Sequence, residues 1–444
     1  MSRTTHAPAG VGAATVDPPS GDWRLLAGWA AAGRSQDHAA HVAMFGAVPV
    51  RAYRGREGRQ RLVDEVDRAG LLGRGGAAFP TARKLATVAQ GRRRPVVVAN
   101  GCEGEPASKK DRMLAELAPH LVLDGAVLAA QATNATDVYL CTEETSPAFT
   151  ALARAARERS SPLPLHVVGV PGHFVASEES ALVSFLNGGP ARPTGRRTRV
   201  FETGVDKRPT YVGNVETLAQ LALVARYGAQ WFRSVGTAGS PGTALVTIDG
   251  AVHSPGVAEL PYGVTLDEVL DAGGGTTEPV QALLVGGCSG GWLGMPAALS
   301  TGFSHEDLRA AGATVGVGSV IALPAAACGV SETAHVLRYL AEESARQCGP
   351  CMFGLPAVAA DFAALTAGST IRDRRAMRGL ERRLEVIPGR GACAHPDGAV
   401  RLAASALRTF AQDVELHLAG RPCAYAGAPP RLPMLARRRR ALVP

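Results

Sequence analysis

Between residues 55 and 235, short apolar runs alternate with amphipathic ones. Pro95-Val96-Val97-Val98-Ala99-Asn100 has the length and β-branched content of a buried strand, and Asp137–Cys141 and Leu165–Val170 repeat the pattern. Between them, His120–Ala132 and Ser146–Glu158 have helical character. Strands and helices alternating in this way predict an α/β domain with an at least partly parallel sheet. The texture changes near residue 240. Thr243–Ile248 reads as a strand, Asp249-Gly250 as a hairpin signal, Leu266–Leu270 as a short helix ending near Gly273, and Gln281–Val285 as a further strand closed by a glycine-rich turn. Short strands around one helix predict a small β-grasp-like module. From 331 onward the pattern is helical. Ser331 stands as an N-cap before Val336, Leu337 and Leu340, and Ala403, Leu407, Phe410 and Val414 recur at helical steps on one face.

These changes divide the chain into a flexible arm rich in Ala, Gly, Pro and Ser over 1–40, an α/β domain over 41–238, the β-grasp-like domain over 239–328, a helical domain over 329–420 and a basic tail over 421–444. Composition adds limits. At 46 % hydrophobic, the 444 residues can bury sizeable cores, but with 5 % aromatics Leu, Val and Ala must supply them. No run of about 18 apolar residues appears, so no direct membrane span is expected. The opening residues lack the basic segment and apolar stretch of a secretory signal, which predicts a cytoplasmic protein. The net charge of +8 is concentrated at Arg92–Arg94, Arg196/Arg197/Arg199 and Arg437–Arg440, the last read as a solvated tail. No motif with stacking aromatics accompanies it, so nucleic acid is not an expected partner. Eight cysteines without a signal point to metal or redox chemistry rather than disulfides.

The most informative stretch is Leu72-Gly73-Arg74-Gly75-Gly76-Ala77-Ala78-Phe79-Pro80-Thr81. Three glycines within four residues let backbone N–H groups approach and cradle a phosphate, with Arg74 and Lys84 to add charge. A tight loop without a ligand has the same composition, and the spacing is not that of the usual dinucleotide or nucleoside-triphosphate loops. Its company matters. Asn100-Gly101-Cys102-Glu103-Gly104-Glu105 follows a predicted strand, at the end where open α/β sheets bind ligands. Ser177-Glu178-Glu179-Ser180 opens a helix, where the carboxylates either face a ligand or complement the helix dipole. Gly213-Asn214-Val215-Glu216-Thr217-Leu218 places an Asn just before a helical run.

In this order, the four stretches resemble the flavoprotein (FMN- and NADH-binding) subunit of respiratory complex I and its diaphorase relatives in hydrogenases and formate dehydrogenases. The family's GRGGAGFP matches Gly73–Pro80 with Ala78 for a glycine, its NADE-type segment matches Asn100–Glu105, its GEE matches Ser177–Glu179, and its NNVETL matches Gly213–Leu218. The middle domain resembles the family's soluble-ligand-binding (SLBB) β-grasp module, and Glu343 through Cys393 its iron–sulfur region. The match runs from about residue 55 to 420. The resemblance implies an FMN-binding α/β domain, then the β-grasp domain and a C-terminal helical bundle. It implies that Gly73, Arg74, Gly75, Gly76, Lys84, Asn100, Gly213, Asn214 and Thr217 surround FMN. By the same resemblance Phe79 stacks on the dinucleotide, and Glu103, Glu178 and Glu179 line the nicotinamide pocket as the catalytic carboxylates.

Departures are equally specific. The family's ESCGKCTPC reads Glu343-Ser344-Ala345-Arg346-Gln347-Cys348-Gly349-Pro350-Cys351 here, so Ala345 replaces one thiolate while Cys348, Cys351 and Cys393 remain. Three thiolates leave open a [3Fe–4S] cluster, a [4Fe–4S] cluster with another ligand such as His395 or Cys423, or a relic site. Cys102, Cys141, Cys288 and Cys328 read as small buried hydrophobes, although Cys102 sits where the family carries an acid. Of the family's adenine-stacking phenylalanines only Phe79 is kept; Thr87 and Arg199 stand near the other two. The arginines around 196–199 suit a 2′-phosphate, as in NADPH, or a solvated surface. Gly213 replaces the first Asn of NNVETL. The expected function is an FMN-dependent NAD(P)H oxidoreductase that passes electrons, through a cluster or directly from flavin, to a ferredoxin-like, quinone-reducing or other redox partner. Its rivals are a flavoprotein fed by a protein electron donor and a non-catalytic subunit that has lost its cluster.

Overall fold

The computed structural model describes residues 23–195, 199–367 and 374–433. Strands β1 (Val96–Asn100), β2 (Asp137–Glu143), β3 (Leu165–Val170) and β4 (Thr210–Asn214) form an all-parallel sheet in the order β3-β2-β1-β4. The first three are the strands expected from the apolar runs. Helices Pro119–Thr133 and Pro147–Glu158 lie between them as expected, and the Ser146 hydroxyl accepts from the Ala148 N–H at the start of the second. β4 escaped the sequence reading because Thr-Tyr-Val-Gly-Asn is short and holds a glycine. Its partner is β1, with Asn100 in register with Asn214.

Helices Pro119–Thr133 and Val215–Phe232 pack together beside this sheet. They cross so closely that a Cβ on Gly125 would stand 1.8 Å from the Leu218 carbonyl oxygen. The neighbouring Asp124 is buried at the crossing. Its carboxylate meets Arg159 at 2.6 Å, His41 at 2.8 Å and the Arg226 guanidinium. Burial alone raises a carboxyl pKa, but here Arg226, His41 and Arg159 outweigh it and hold Asp124 below the usual carboxylate range.

Strands β5 (Thr243–Gly250), β6 (Gly256–Pro261), β7 (Val280–Val285), β8 (Gly291–Gly294) and β9 (Ser319–Pro324) form a second sheet in the order β6-β5-β9-β7-β8. β5 and β9 run parallel at its centre, and the other pairs are antiparallel. Helix Leu266–Ala272, opened by a Thr265/Glu268 capping box, buries Leu266, Val269 and Leu270. The hairpin is present, but Asp249-Gly250 is not its turn. β9 pairs with β5 as far as Gly250, so the strand continues and the reversal falls at 251–255.

The remainder is helical: Gly329–Glu342, Leu355–Ala367, Arg374–Val386, His395–Thr409 and Ala411–Leu418. Two details correct the sequence reading. The first helix begins earlier than Ser331, because Cys328 caps it and its sulfur accepts the Ser331 N–H at 3.4 Å. The stripe Ala403–Val414 belongs to two helices, broken at Phe410.

The expected arm is also shorter than its composition implies. Leu25 and Leu26 are buried, and helices Ala27–Ala32 and His38–Phe45 follow. The Glu259 carboxylate of β6 accepts the backbone N–H groups of Arg24, Leu25 and Leu26 at 3.0, 2.9 and 3.2 Å. Backbone donors carry no residue signature, which is why composition missed this anchor. Residues 1–22, Arg196, Arg197 and Arg437–Arg440 lie outside the described residues. Among the described residues no single helix is long and apolar enough to cross a membrane.

Candidate functional site

In the order β3-β2-β1-β4, the chain runs from β1 to one side through β2 and β3 and then crosses back to place β4 on the other side of β1, so a crevice opens beyond the C-terminal ends of β1 and β4. Asn100 and Asn214 are the last residues of those strands. A cavity of about 610 Å³ lies there, a size that suits a nucleotide-like ligand. Its walls bring together the Gly73–Phe79 loop, Asn100, Glu103, Glu178, Glu179 and Gly213–Asn214. Gly316 of the second sheet's domain and Cys393 of the helical region complete it.

The loop is closed by a bridge between Leu72 and Pro80, and the Gly73 N–H donates to the Phe79 carbonyl at 2.9 Å. Gly76 has φ +99°, a conformation that side chains resist. Ala78 keeps φ +50° where the family carries glycine. The Arg74 N–H donates to Thr217 Oγ1 at 2.8 Å, which ties the loop to helix Val215–Phe232. Arg74 lines the cavity, and its side chain is also held from the second domain. The residue is 5 % exposed, and its guanidinium reaches into the second domain, donating to the Tyr262 hydroxyl at 2.6 Å and the Thr243 carbonyl at 3.2 Å.

Besides Arg74 and Lys84, a buried cation that the sequence reading missed lines the cavity. Lys110, 2 % exposed, pairs with Asp111 at 2.6 Å and Glu216 at 2.9 Å, and its Nζ lies 3.4 Å from Asn214 Oδ1. Burial opposes its charge, but the two carboxylates win and raise its pKa. Burial also raises the Asp111 pKa, against the pull of Lys110. The available signal was Lys109-Lys110-Asp111, three residues beyond the NADE-like segment; nothing in it marked Lys110 as inward-facing.

Asn100 Nδ2 donates to the Ser177 carbonyl at 2.9 Å, and Asn100 Oδ1 accepts from the Cys102 N–H at 3.1 Å. Asn214 caps its helix through the Glu216 N–H at 3.0 Å and donates to Asp111 at 2.7 Å. Gly213 leaves room for Tyr211: a Cβ there would come within 2.6 Å of the Tyr211 ring. The three carboxylates differ. Glu178 caps helix Glu179–Leu186, accepting from the Ser180 and Ala181 N–H groups at 2.9 and 3.0 Å. Glu103 accepts from the Asp111 N–H at 3.1 Å and the Arg112 N–H at 3.2 Å at the start of helix Lys110–Leu117. Glu179 instead meets Lys84 at 2.8 Å across the cavity. Phe79 is 48 % exposed at the rim, with the Arg83 guanidinium 5.5 Å from its ring centre. Cys102 lines the cavity, and burial pushes its thiol pKa up. Cys141 and Cys288 are buried as expected.

The cavity fits FMN on two counts. The Thr81 hydroxyl is buried on its wall with no hydrogen-bond partner among the described residues. A Cβ on Gly75 would meet only Asn214 Cβ, at 3.5 Å, so the cradle is open. Cys348, Cys351 and Cys393 offer an iron–sulfur donor set. Burial pushes the Cys351 thiol up to about 12, and the nearby Cys348 and Cys393 sulfurs add to it, while the Ser344 hydroxyl acts the other way. Arg346 holds φ +53° where the family has glycine. His395 Nε2 lies 2.7 Å from the Leu340 carbonyl, and its buried Nδ1 has no partner among the described residues. Because that carbonyl only accepts, the Nε2 carries the proton. Cys423 sits elsewhere, with Cys328 and His417.

Comparison with known proteins agrees with this geometry. Residues 66–223 match the Nuo51 FMN-binding domain, and residues 331–417 match the NADH-ubiquinone oxidoreductase-F iron-sulfur binding region. The F-type subunit of NADH-quinone oxidoreductase from Escherichia coli is 31 % identical over 374 residues, which cover 80 % of this chain and 83 % of that protein. The HndC subunit of the NADP-reducing hydrogenase from Solidesulfovibrio fructosivorans is 31 % identical over 402 residues, covering 84 % and 80 %. The fold superposes on an NAD+-reducing [NiFe]-hydrogenase in the air-oxidized state with a TM-score of 0.76 at 29 % identity, over 91 % of this chain and 70 % of that one. Motifs, cavity and comparisons agree, and the chain belongs to the family of NADH-quinone oxidoreductase F-type subunits.

Proposed function

We infer that the chain is an FMN-dependent NAD(P)H oxidoreductase subunit that hands electrons, by way of an iron–sulfur centre, to another redox subunit or a ferredoxin-like partner. The observation that carries this reading is one wall: Cys393, the downstream member of the thiol set, lines the same cavity as the glycine loop. FMN bound there supplies the chemistry, accepting a hydride from the nicotinamide and releasing electrons singly. The chain supplies position and charge. The backbone N–H groups of Gly75 and Gly76 would reach the phosphate, since those of Gly73 and Arg74 are held by the Phe79 carbonyl and Thr217 Oγ1. Lys110 stands beside them with Asp111 and Glu216, and Asn100 and Asn214 would hold the ribityl and ring. Glu178 and Glu103 hold the helix starts that shape the pocket, which leaves Glu179 with Lys84 as the polar pair facing the nicotinamide. Phe79 offers an exposed stacking face for adenine. The strand order of the second sheet, with a parallel central pair between two hairpins, supports the SLBB-type β-grasp reading and the domain limits given above. A cytoplasmic location goes with this reading.

An anaerobic visible spectrum tests it. Flavin bands should bleach on addition of NADH or NADPH, and whichever does so at lower concentration is the donor. Flavin that remains oxidised with both would replace this reading by one with a protein electron donor; a colourless chain would replace it by a non-catalytic subunit.

Ala345→Cys restores the family's fourth thiolate on a loop whose neighbour Arg346 keeps the glycine-like backbone. Iron per chain after anaerobic purification should rise, with the spectrum moving toward that of a four-thiolate cluster. Unchanged iron would mean that this position is not the missing ligand.

A further inference from the structure

A second cluster of metal-type donors lies outside the flavin site. Cys328, His417 and Cys423 bring one sulfur, one imidazole nitrogen and one sulfur within 4.8 Å of one another. They come from distant parts of the sequence. Cys328 caps helix Gly329–Glu342, His417 is in the last turn of helix Ala411–Leu418, and Cys423 follows the turn at Gly420. None of the three lines the flavin cavity, and none belongs to the Cys348/Cys351/Cys393 set.

The imidazole is oriented for ligation. His417 Nδ1 lies 3.1 Å from the Leu365 carbonyl, which can only accept, so Nδ1 carries the proton. Nε2 therefore turns its lone pair toward the two sulfurs, with Cys328 Sγ at 3.8 Å. An outer carbonyl that fixes the tautomer is the usual support of a metal-bound histidine. Zinc bond lengths of about 2.3 Å to sulfur and 2.0–2.1 Å to nitrogen place tetrahedral ligand atoms roughly 3.5–3.8 Å apart. The group is thus near the required size without an ion. Two thiols and an imidazole are a soft-to-borderline donor set, which selects zinc over calcium or magnesium.

We propose that Cys328, His417 and Cys423 bind one zinc ion, with the fourth position open on the side of the half-buried Cys423. Both thiols lose their protons on binding, and those protons pass to solvent. Nε2 at present accepts the Cys423 N–H at 3.3 Å, and the ion takes over that lone pair. The bound ion fastens the segment after residue 418 to helix Gly329–Glu342. It acts beside contacts already there: the Gly427 N–H donates to Ser331 Oγ at 3.3 Å, and the Arg431 and Leu432 N–H groups donate to Glu332 at 2.6 and 3.2 Å.

The test is elemental analysis of the full chain purified anaerobically from zinc-supplemented medium, together with cobalt(II) replacement. Wild type should hold one zinc per chain and, with cobalt, develop thiolate-to-cobalt charge-transfer absorption. Cys328→Ser is the decisive variant, because Ser is a strong N-cap and preserves the helix start while removing a thiolate. It and Cys423→Ser should lose zinc affinity by roughly tenfold or more. Cys348→Ser should leave zinc unchanged, which separates this site from the iron–sulfur donors. Wild type without zinc, wild type with Cys328 and Cys423 joined in a disulfide, or variants with full zinc would each overturn the proposal.

Discussion

Gly75→Val is expected to purify as a folded protein without FMN. The position suits the experiment because the chain itself tolerates a side chain there. Gly75 is not among the residues with positive φ, and an added Cβ would meet only Asn214 Cβ, at an ordinary contact distance of 3.5 Å. Val therefore costs little in the empty protein. In the loaded protein its methyl groups occupy the space through which backbone N–H groups reach the phosphate. An affinity loss of roughly 100-fold or more, about 2.7 kcal/mol, is expected. The contrast is Gly76, whose φ of +99° makes any side chain strain the backbone whether or not a ligand is bound. The measurement is the flavin-to-protein ratio beside the thermal midpoint. Loss of flavin with a midpoint equal to that of wild type stripped of its flavin supports the loop as the phosphate cradle, and full flavin occupancy in Gly75→Val would remove the loop from the site.

What the sequence made legible was mostly backbone. The glycine loop, the ends of β1 and β4 and the helix start at Glu178 all lie on one cavity, as the motif order implied. Their side chains were harder to place. Arg74 lines the cavity as its position between glycines suggested, but nothing in the sequence signalled that its guanidinium is also held by Tyr262 and Thr243, residues far along the chain. Lys110 looked like any lysine at a helix start; only the fold brings Glu216 to it. Glu103 and Glu178 are acidic where a ligand site and a helix start make the same demand, so sequence could not separate the two uses. Ala78 and Arg346 add a different kind of information. Both replace family glycines, and both keep left-handed φ values of +50° and +53°. Such conformations cost on the order of 1–3 kcal/mol and persist only where the surroundings impose them. The backbone of the flavin loop and that of the cluster loop have outlasted the residues that made them easy to form. Cys328 is the remaining lesson. As a lone cysteine it read as a small apolar residue, and it gained meaning only when His417 and Cys423 arrived beside it.

Asp124→Asn should be the most destabilising conservative substitution in the α/β domain. The carboxylate is shared by Arg159, Arg226 and His41, and the side chains of all four are nearly inaccessible. The neutral amide keeps the shape but leaves two buried guanidinium groups without a counter-charge. Removing one partner of a buried ion pair costs about 3–5 kcal/mol. The remaining partners of the two guanidinium groups are neutral backbone carbonyls, His120 for Arg159 and Ala222 and Gly46 for Arg226, which supply no counter-charge. The effect has a defined pH window. The folded pKa of Asp124 lies below its ordinary value of 3.8, so the unfolded chain takes up the proton first as the solution is acidified. The carboxylate's contribution is therefore complete above about pH 4–5 and fades as pH falls through the ordinary value toward the folded one. Urea unfolding followed by tyrosine and tryptophan fluorescence should show a lowered midpoint for Asp124→Asn at pH 7, and the gap to wild type should hold down to about pH 5 and narrow below pH 4. A gap that stays constant through the acid range would mean that Asp124 acts through shape and hydrogen bonding. The charge would then not be what holds helices Pro119–Thr133 and Val215–Phe232 together behind the flavin sheet.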